Sequence, residues 1–414
     1  MTAGGRALIL TAGRARGSLA AARALHRAGW VVGVGTPDGA GMVTASRRCD
    51  RAHVVPRPRG DVAPFLDGVR RAVRDGGYDV VFGGGDDWMA ALAVYRAEVP
   101  AVVPHPSAEV VNEALDKVGL TRRAPAVGLA APRTQLATES AVGGWEGPVV
   151  VKCRAHWRPR HAHPHRIEAR RYPDVTAAAG RIERLRKAGL EPLLQQPVEG
   201  ELTALIGLVH EGRLVGRVHQ RSPHLWPTPS GVSCRAVTLP IDEDLAGLAE
   251  ALLADLGWSG LVELQFLRGP DGVSHLIDLN GRFFGSMALA NAAGPNLPDA
   301  WGRQVLGQPL PPLPDAAPGA RFLWTAGDLR RARVEQRGGL VTDVVSTLRW
   351  LPGATTSVWQ LGRSGADAGE GGFPVAVPVA GGRGPLIGPV SRGTAATPRS
   401  PRPAAPRCSA AACR

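Results

Sequence analysis

The chain has 414 residues, 44% of them hydrophobic, which is enough for two or three domains with a substantial core. No apolar segment is long enough to cross a membrane, and the amino-terminal residues lack the apolar region of a signal peptide. The net charge of +13 does not indicate a nucleic-acid partner, because the arginines are scattered along the chain. We attribute the excess of arginine to coding bias. Zinc or disulfide spacing is absent from the five cysteines, so we expect a reducing cytoplasm; they stand at positions 49, 153, 234, 408 and 413.

The first hundred residues alternate between strand and helix patterns. Strands are predicted over RALILT, WVVGVGT, AHVVP, YDVVF and PAVVP. The intervening RGSLAAARALHRAG and APFLDGVRRAVRDGG have helical patterns. This alternation predicts an α/β domain with an open parallel sheet. A dinucleotide-binding fold is an alternative, but TAGRARGS does not match G-x-G-x-x-G and no acidic residue stands at the end of WVVGVGT.

Two acidic residues follow the fourth predicted strand. Loops at the carboxyl ends of parallel strands bind ligands, so Asp86 and Asp87 are candidates for contacting a substrate. Capping of the next helix by these side chains is the interpretation we favour.

A predicted hairpin between residues 260 and 286 carries the strongest chemical signal. The apolar runs LVELQF and HLIDLN flank a Gly-Pro-Asp-Gly turn. Glu263 and Gln265 share one face of the first strand, and Asp278 and Asn280 share one face of the second. These oxygen ligands suit Mg²⁺, with Mn²⁺ as an alternative, and Arg282 beside them suits a phosphate or acyl phosphate. A solvated polar face of a half-exposed sheet is the competing interpretation.

The end of this hairpin resembles the signature that closes the active site of ATP-grasp ligases. Residues 278–286, Asp-Leu-Asn-Gly-Arg-Phe-Phe-Gly-Ser, are similar to Glu-x-Asn-Pro-Arg-x-x-Gly-Ser. Asp278 stands where glutamate is usual, and Gly281 stands where proline is usual. Aspartate still ligates Mg²⁺ but reaches one methylene less, so the metal geometry could differ.

Lysine is rare in this chain and supports the same resemblance. Among 49 basic residues, lysine occurs only at Lys117, Lys152 and Lys187. EALDKVGL is similar to the Asp-Lys helix that opens the family's ATP-binding domain, and GPVVVKC is similar to its Pro-x-Val-x-Lys strand. The resemblance implies that Lys117 and Lys152 contact nucleotide phosphates, the alternative being ordinary surface lysines. Lys187 is expected to be a solvated charge near a helix end.

A fourth segment, LLQQPVEGEL, is similar to the family's adenine-binding hinge. The resemblance implies that Gln195, Gln196 and Val198 border the adenine and that Glu201 binds the ribose hydroxyls. This segment is a weak signal alone, but the four segments together stand in the family's order.

The segment after Lys152 departs from the family. ATP-grasp proteins usually carry a glycine-rich loop there, whereas this chain has arginines and histidines and no glycine. We predict a phosphate clamp made of side chains, with Arg154, Arg158, Arg160 and Arg166 as candidates. Alternating histidines often bind metal, but here we expect them to be solvated; they are His161, His163 and His165. Further along the chain, the resemblance implies that Arg221 or Arg235 faces the acyl phosphate or substrate carboxylate.

The resemblance also implies the domain order. An α/β pre-ATP-grasp domain over residues 1–108 precedes an α+β ATP-grasp domain of two lobes over 109–310, with the smaller lobe in 125–200. A small extension is expected over 311–361, and the composition of 362–414 predicts a disordered tail.

The implied activity is that of an ATP- and Mg²⁺-dependent ligase. It activates a small-molecule carboxylate as an acyl phosphate and joins it to an amine or thiol. Assembly as a homodimer is one of the alternatives for the oligomeric state. A nucleotide-binding partner protein with a degenerate site is the main alternative, and a nicotinamide-dependent oxidoreductase is the other.

Overall fold

An open parallel sheet forms the amino-terminal part of the molecule. A computed structural model gives the structure of residues 4–155, 157–160 and 169–358. The first sheet has the strand order β3-β2-β1-β4. Its strands are β1 (Arg6–Leu10), β2 (Val31–Thr36), β3 (Arg51–Val54) and β4 (Val80–Gly83). The run PAVVP forms a single parallel bridge from Val102 to Val80, since Pro100 and Pro104 have no N–H to donate to a ladder.

Helices cover this sheet and lead into the next domain. They are α1 (Arg16–Arg27), α2 (Ala63–Gly76), α3 (Asp86–Val94), α4 (Ala108–Leu115) and α5 (Lys117–Arg123), with short 3₁₀ turns at Arg96–Glu98 and Ala124–Val127. The start of α1 lies against the segment after the predicted metal hairpin. A Cβ on Gly17 would stand 2.3 Å from the carbonyl oxygen of Phe284, so this close approach requires glycine.

A smaller lobe follows, built on a sheet with the order β5-β8-β6-β7 among the described residues. Its elements are β5 (Thr134–Leu136), α6 (Glu139–Gly143), β6 (Val149–Cys153), β7 (Arg170–Tyr172), α7 (Val175–Lys187) and β8 (Pro192–Gln195). Alternate residues of β6, Val149 and Val151, pack with Ile182 and Leu185 of α7 in the core of this lobe. Lys152, between two buried neighbours, therefore faces away from that core.

The central sheet has the order β13-β12-β9-β10-β11-β14-β15 within the described part of the chain. Its strands are β9 (Glu201–His210), β10 (Arg213–Trp226), β11 (Val232–Leu239), β12 (Gly260–Arg268), β13 (Ser274–Asn280), β14 (Arg321–Leu323) and β15 (Ala354–Thr356). The associated helices are α8 (Glu243–Asp255), α9 (Met287–Ala293), α10 (Leu297–Val305), α11 (Thr325–Glu335) and α12 (Leu340–Trp350).

Hydrophobic packing covers both faces of the central sheet. Leu205 and Leu264 belong to a core that includes α8 and residues of the amino-terminal domain. Ala204 and Ile206, which point to the opposite face, pack with Phe283 and Phe284. The predicted fold class, an α/β domain followed by a two-lobed α+β domain, is confirmed.

Residues 359–414 lie outside the described residues. The prediction of a disordered tail therefore falls outside the described structure. None of the helices that the structure describes is long and apolar enough to cross a membrane.

Candidate active site

The β12–β13 hairpin gathers polar side chains on one face. Its register pairs Glu263 with Asn280 and Gln265 with Asp278, and residues directly opposite each other on a sheet share a face. Asn280 donates through Nδ2 to Oε2 of Glu263 at 2.8 Å, and Gln265 donates through Nε2 to the same oxygen at 3.0 Å. The sequence prediction that these strands bring the four side chains together agrees with this register.

Glu263 is a buried carboxylate in this group. Its residue is 3% exposed. Burial raises the pKa of Glu263 to about 7, although the Arg282 charge and the Asn280 and Gln265 hydrogen bonds oppose the shift. A carboxylate held out of water in this way is stabilised by a nearby cation.

The oxygen atoms of this face fit Mg²⁺. Two carboxylates, Glu263 and Asp278, stand with amide oxygens on a rigid hairpin, and Mg²⁺ prefers such hard oxygen ligands. Among the described residues, no group of three or more His, Cys, Asp or Glu side chains could hold a metal ion. The donor set is therefore one that needs nucleotide phosphates to complete it, as is usual for Mg²⁺.

Two lysines converge on Asp278 from different elements. Lys117 is the first residue of α5, and its Nζ lies 2.9 Å from Oδ1 of Asp278 although only 4% of the residue is exposed. The helix begins there because Asp116 caps it, accepting from the N–H of Val118 at 3.0 Å. This burial and pairing exclude the alternative that Lys117 is an ordinary surface lysine.

Lys152 projects from β6 toward Asp278 and Lys117. Burial lowers the pKa of Lys152 to about 8; the nearby Lys117 lowers it further, whereas Asp278 opposes the shift. Two ammonium groups close to one carboxylate leave an excess of positive charge. An anionic ligand such as a phosphate would balance that excess.

Arg282 is held from two sides. Its Nε donates to Oδ1 of Asp86 at 2.8 Å, and its Nη2 donates to Oδ1 of Asn280 at 2.8 Å. Burial alone would lower the pKa of Arg282, but the carboxylates of Asp86 and Glu263 outweigh it and raise the pKa. Its Nη1 has no hydrogen-bond partner among the described residues.

The structure corrects our interpretation of Asp86 and Asp87 as helix caps. Gly85 occupies the N-cap position of α3, and no side chain caps the helix. Asp86 pairs with Arg282, and Asp87 accepts from Nη1 of Arg57 at 2.6 Å. Both side chains are therefore held by arginines from other elements.

The hinge residues lie between the smaller lobe and β9. Gln195 ends β8, and its side chain donates to Oγ1 of Thr134 at 3.0 Å. Gln196 donates its backbone N–H to the carbonyl of Arg133 at 2.9 Å. Val198 is half-buried in the following connection, and Glu201 is the first residue of β9.

Arg221 lies beside the predicted ribose ligand instead of the carboxylate cluster. Its Nη1 is 3.1 Å from Oε1 of Glu201. Gln265 and Gln220 are both aligned with Ala204 across the sheet, so they share a face and Arg221 points to the opposite one. The predicted contact of Arg221 with an acyl phosphate at Arg282 is not supported by this arrangement.

Arg235 is committed to a buried polar network, which corrects its prediction as a catalytic residue. Its Nε donates to Oδ2 of Asp328 at 2.8 Å, and its other nitrogens donate to Ser346 at 3.1 Å and Thr347 at 3.3 Å. Asp328 also accepts from Arg331 at 2.8 Å. These contacts fix α11 and α12 to the central sheet and leave Arg235 with a structural role.

The arginines after Lys152 are paired with acidic side chains. Arg154 lies 2.7 Å from Oδ2 of Asp116, and Arg158 pairs with Glu191. Arg160 has a positive φ of 63°. The side-chain phosphate clamp stays a prediction for these three residues, and its fourth candidate, Arg166, lies outside the described residues. The histidines expected to be solvated also lie outside them, namely His161, His163 and His165.

Trp157 and Arg57 are residues that the sequence did not single out. The Nε1 of Trp157 donates to the carbonyl of Pro58 at 2.6 Å, which fixes the segment after β6 to the amino-terminal domain. Arg57 holds Asp87. The sequence carried no signal for either contact, because each joins residues far apart in the chain.

Comparison with known proteins agrees with the fold. A family profile described as ATP-grasp in the biosynthetic pathway with Ter operon matches residues 212–327. The matched segment contains the β12–β13 hairpin and is similar to this ATP-grasp family. No curated protein sequence matches this chain.

Solved structures similar to this chain include three bacterial enzymes. The biotin carboxylase domain of 2-oxoglutarate carboxylase from Hydrogenobacter thermophilus, in complex with MgADP, is 13% identical, with a TM-score of 0.61 over 78% of this chain and 74% of that one. An L-amino acid ligase from Bacillus licheniformis is 14% identical, with a TM-score of 0.56 over 74% and 75%. N5-carboxyaminoimidazole synthetase from Staphylococcus aureus is 12% identical, with a TM-score of 0.59 over 81% and 87%.

Proposed function

We propose that this ATP-grasp protein is an ATP-dependent ligase. It activates a small-molecule carboxylate as an acyl phosphate and joins it to an amine or thiol, releasing ADP and phosphate. The observation that carries this proposal is the convergence of Lys117, Lys152 and Arg282 on the hairpin that bears Glu263, Asp278 and Asn280.

Each charged group has a place in this reaction. Glu263, Asp278 and Asn280, with Gln265 beside them, would hold Mg²⁺ or Mn²⁺, and the bound ion would neutralise phosphate charge. Lys117 and Lys152 bind nucleotide phosphates through their ammonium groups. The chain's own contribution is thus positive charge fixed where the transferred phosphoryl group must sit.

Arg282 orients the substrate carboxylate and then stabilises the acyl phosphate. Asp86 and Asn280 hold the Nε and Nη2 edge of its guanidinium, so Nη1 is available for an anion. Because two fixed partners set the plane of the group, little reorganisation is needed when the substrate binds. The acyl phosphate is attacked by the amine or thiol, and phosphate leaves with the bonding electrons.

The hinge supplies the remaining nucleotide contacts. Backbone groups near Gln195, Gln196 and Val198 border the adenine, and Glu201 binds the ribose hydroxyls. Glu201 exchanges part of its ion pair with Arg221 for these hydroxyls, since its own side chain is 38% exposed. Among the structures similar to this chain, one is an L-amino acid ligase, and another is a biotin carboxylase domain dimer with MgADP. A homodimer is part of the proposal on the same ground.

A nucleotide-binding protein without ligase turnover is the second candidate. Lys117 already pairs with Asp278, and Arg154 and Arg158 already pair with acidic residues, so several charges are satisfied inside the chain. Such a protein binds ATP with Mg²⁺ but leaves it intact.

Phosphate release separates the two candidates. The protein is incubated with ATP, Mg²⁺ and pools of small carboxylates and amines, and phosphate is measured for each pair of pools. We expect release that needs both pools and stops in Arg282→Ala. ATP binding with no release from any pair of pools would favour the binding protein.

A further inference from the structure

Two arginines of the amino-terminal domain stand beside the proposed active site. Arg57 and Arg59 lie on the loop between β3 and α2. Arg57 pairs with Asp87, its Nη1 2.6 Å from Oδ2, and its guanidinium carbon lies 4.3 Å from the centre of the Trp88 ring. Arg59 differs, because its side chain forms no hydrogen bond or ion pair with the described residues and its Nε is buried.

The charges of this cluster do not balance. The charge of Asp87 acts on both Arg57 and Arg59, but only Arg57 forms an ion pair with it. Burial lowers the pKa of Arg59, the nearby Arg57 lowers it further, and Asp87 only partly opposes these effects. Partial desolvation of a guanidinium that has no partner costs free energy, and an anion that binds the guanidinium removes this cost.

The loop lies between two parts of the active site. On one side Asp87 follows Asp86, the residue that holds Arg282. On the other side Pro58, between the two arginines, accepts from Trp157 in the segment that follows Lys152. The side chain of Arg57 is 29% exposed, so a ligand can reach it from solvent.

We propose that Arg57 and Arg59 form an anion-binding subsite that recognises a second acidic group, a carboxylate or a phosphate, on one of the ligase substrates. The inference rests on the proposed function, because the first acidic group is the carboxylate that Arg282 orients. Arg59 supplies the unpaired fork, and Arg57, fixed by Asp87 and Trp88, sets the position of the anion. The substrate class is therefore a small carboxylic acid, or an amine, that carries an additional negative charge.

Small anions test the subsite directly. Inorganic phosphate and succinate are titrated into the full chain by calorimetry, with Mg²⁺ and a non-hydrolysable ATP analogue saturating the nucleotide site and chloride matching the ionic strength. We expect one or both anions to bind the wild-type protein, and Arg59→Gln to weaken that binding at least tenfold. The preferred anion identifies a phosphate or a carboxylate as the recognised group.

Matched variants keep this test interpretable. Arg74→Gln removes the same charge from an exposed position on α2 and should bind the anion as the wild type does. Arg59→Lys retains the charge and should lie between the wild type and Arg59→Gln, which guards against a folding defect in the glutamine variant. No anion binding to the wild type, or equal binding to Arg59→Gln, overturns the subsite. Failure of the ATP analogue to bind would instead count against the ligase proposal.

Discussion

Arg282 donates through Nε to Oδ1 of Asp86 at 2.8 Å across a separation of 196 residues. The two side chains are 13% and 10% exposed, so solvent screens the pair only weakly. Asp86 begins α3 at the carboxyl end of β4, whereas Arg282 follows β13. The amino-terminal domain therefore sets the orientation of the arginine that we place at the reacting carboxylate.

The first prediction concerns this pair. Asp86→Asn removes the charge that aligns Arg282, and a small displacement of a catalytic group costs about 10²-fold in rate. We expect a roughly tenfold to hundredfold loss of kcat with nucleotide affinity retained, measured by phosphate release and calorimetry. Asp67→Asn, at an exposed carboxylate of the same domain, is the control. Wild-type kcat in Asp86→Asn would remove Asp86 from the mechanism.

Local pattern was sufficient to predict which side chains share a face of the β12–β13 hairpin. Alternation along LVELQF and HLIDLN predicted which side chains share a face, and the rarity of lysine drew attention to Lys117 and Lys152. Strand alternation is a local property, so it can be read from consecutive residues. The helix that Asp116 caps was instead expected from the family resemblance.

Long-range partners could not be predicted in this way. Nothing near Arg235 in the sequence indicates that its guanidinium meets Asp328, 93 residues later. The resemblance implied that an arginine in this region contacts the substrate. In the structure, Arg235 instead contacts residues of α11 and α12 in a buried network. Which carboxylate an arginine meets depends on how the elements pack, and that information is spread over the whole chain.

The second prediction concerns Lys152. Lys152→Ala removes an ammonium from the proposed phosphate site, so nucleotide affinity should fall roughly tenfold, or about 1.4 kcal/mol. Lys187→Ala, whose side chain is 76% exposed, should bind nucleotide as the wild type does. Because the pKa of Lys152 is about 8, wild-type affinity should weaken as the pH rises through 8 and the free protein loses this charge. Calorimetry at pH 7 and pH 9 checks both statements, and equal affinities for the wild type and Lys152→Ala would exclude the contact.

The third prediction concerns the metal hairpin. Asp278→Asn removes a negative charge from the proposed Mg²⁺ ligands, and Asn280→Ala removes a neutral oxygen. Both should lower ATP turnover, and the charge change should be the more severe because Mg²⁺ prefers anionic oxygen. Arg282→Lys should also lose turnover, since an ammonium cannot replace a planar fork. Phosphate release measures turnover, and circular dichroism checks the fold.

Asp278 has a second partner that sharpens this experiment. Because Lys117 pairs with Asp278, the asparagine variant also leaves a buried ammonium without its carboxylate. Lys117→Met combined with Asp278→Asn removes that cost, so the double variant should be more stable than Asp278→Asn while remaining inactive. Near-wild-type turnover in Asp278→Asn would end the assignment of chemistry to this hairpin.

The fourth prediction separates Arg235 from the chemistry. Arg235→Ala leaves Asp328 in a buried network with one cation fewer, and breaking a buried ion pair costs about 3–5 kcal/mol. Urea unfolding should show a loss of this size, while nucleotide affinity below the transition stays at the wild-type value. Arg349→Ala, at an exposed position of α12, should leave stability within about 0.5 kcal/mol. A stable Arg235→Ala protein that fails only in turnover would restore the catalytic interpretation.

The fifth prediction concerns acid sensitivity at His105. This histidine is 3% exposed, and its Nε2 accepts a hydrogen bond from the N–H of Gly83 at 2.9 Å. Gly83 ends β4, shortly before α3, which begins at Asp86. Burial lowers the pKa of His105 to about 3, and the charge of Arg96 adds to the effect. The folded protein thus keeps this ring neutral under conditions in which an unfolded chain protonates it.

The sign of the pH dependence follows from that difference. Between pH 6.5 and about 3 the unfolded state binds a proton that the folded state does not, so stability falls as the pH falls. From pH 7.5 to pH 5 this histidine alone should remove roughly 2 kcal/mol, at about 1.36 kcal/mol per pH unit below 6.5. His105→Gln offers a non-titrating acceptor, so its urea-unfolding free energy should change less between the two pH values than that of the wild type. His210→Gln, at a partly exposed position, should match the wild-type change. An unchanged pH dependence in His105→Gln would show that other groups cause the acid sensitivity.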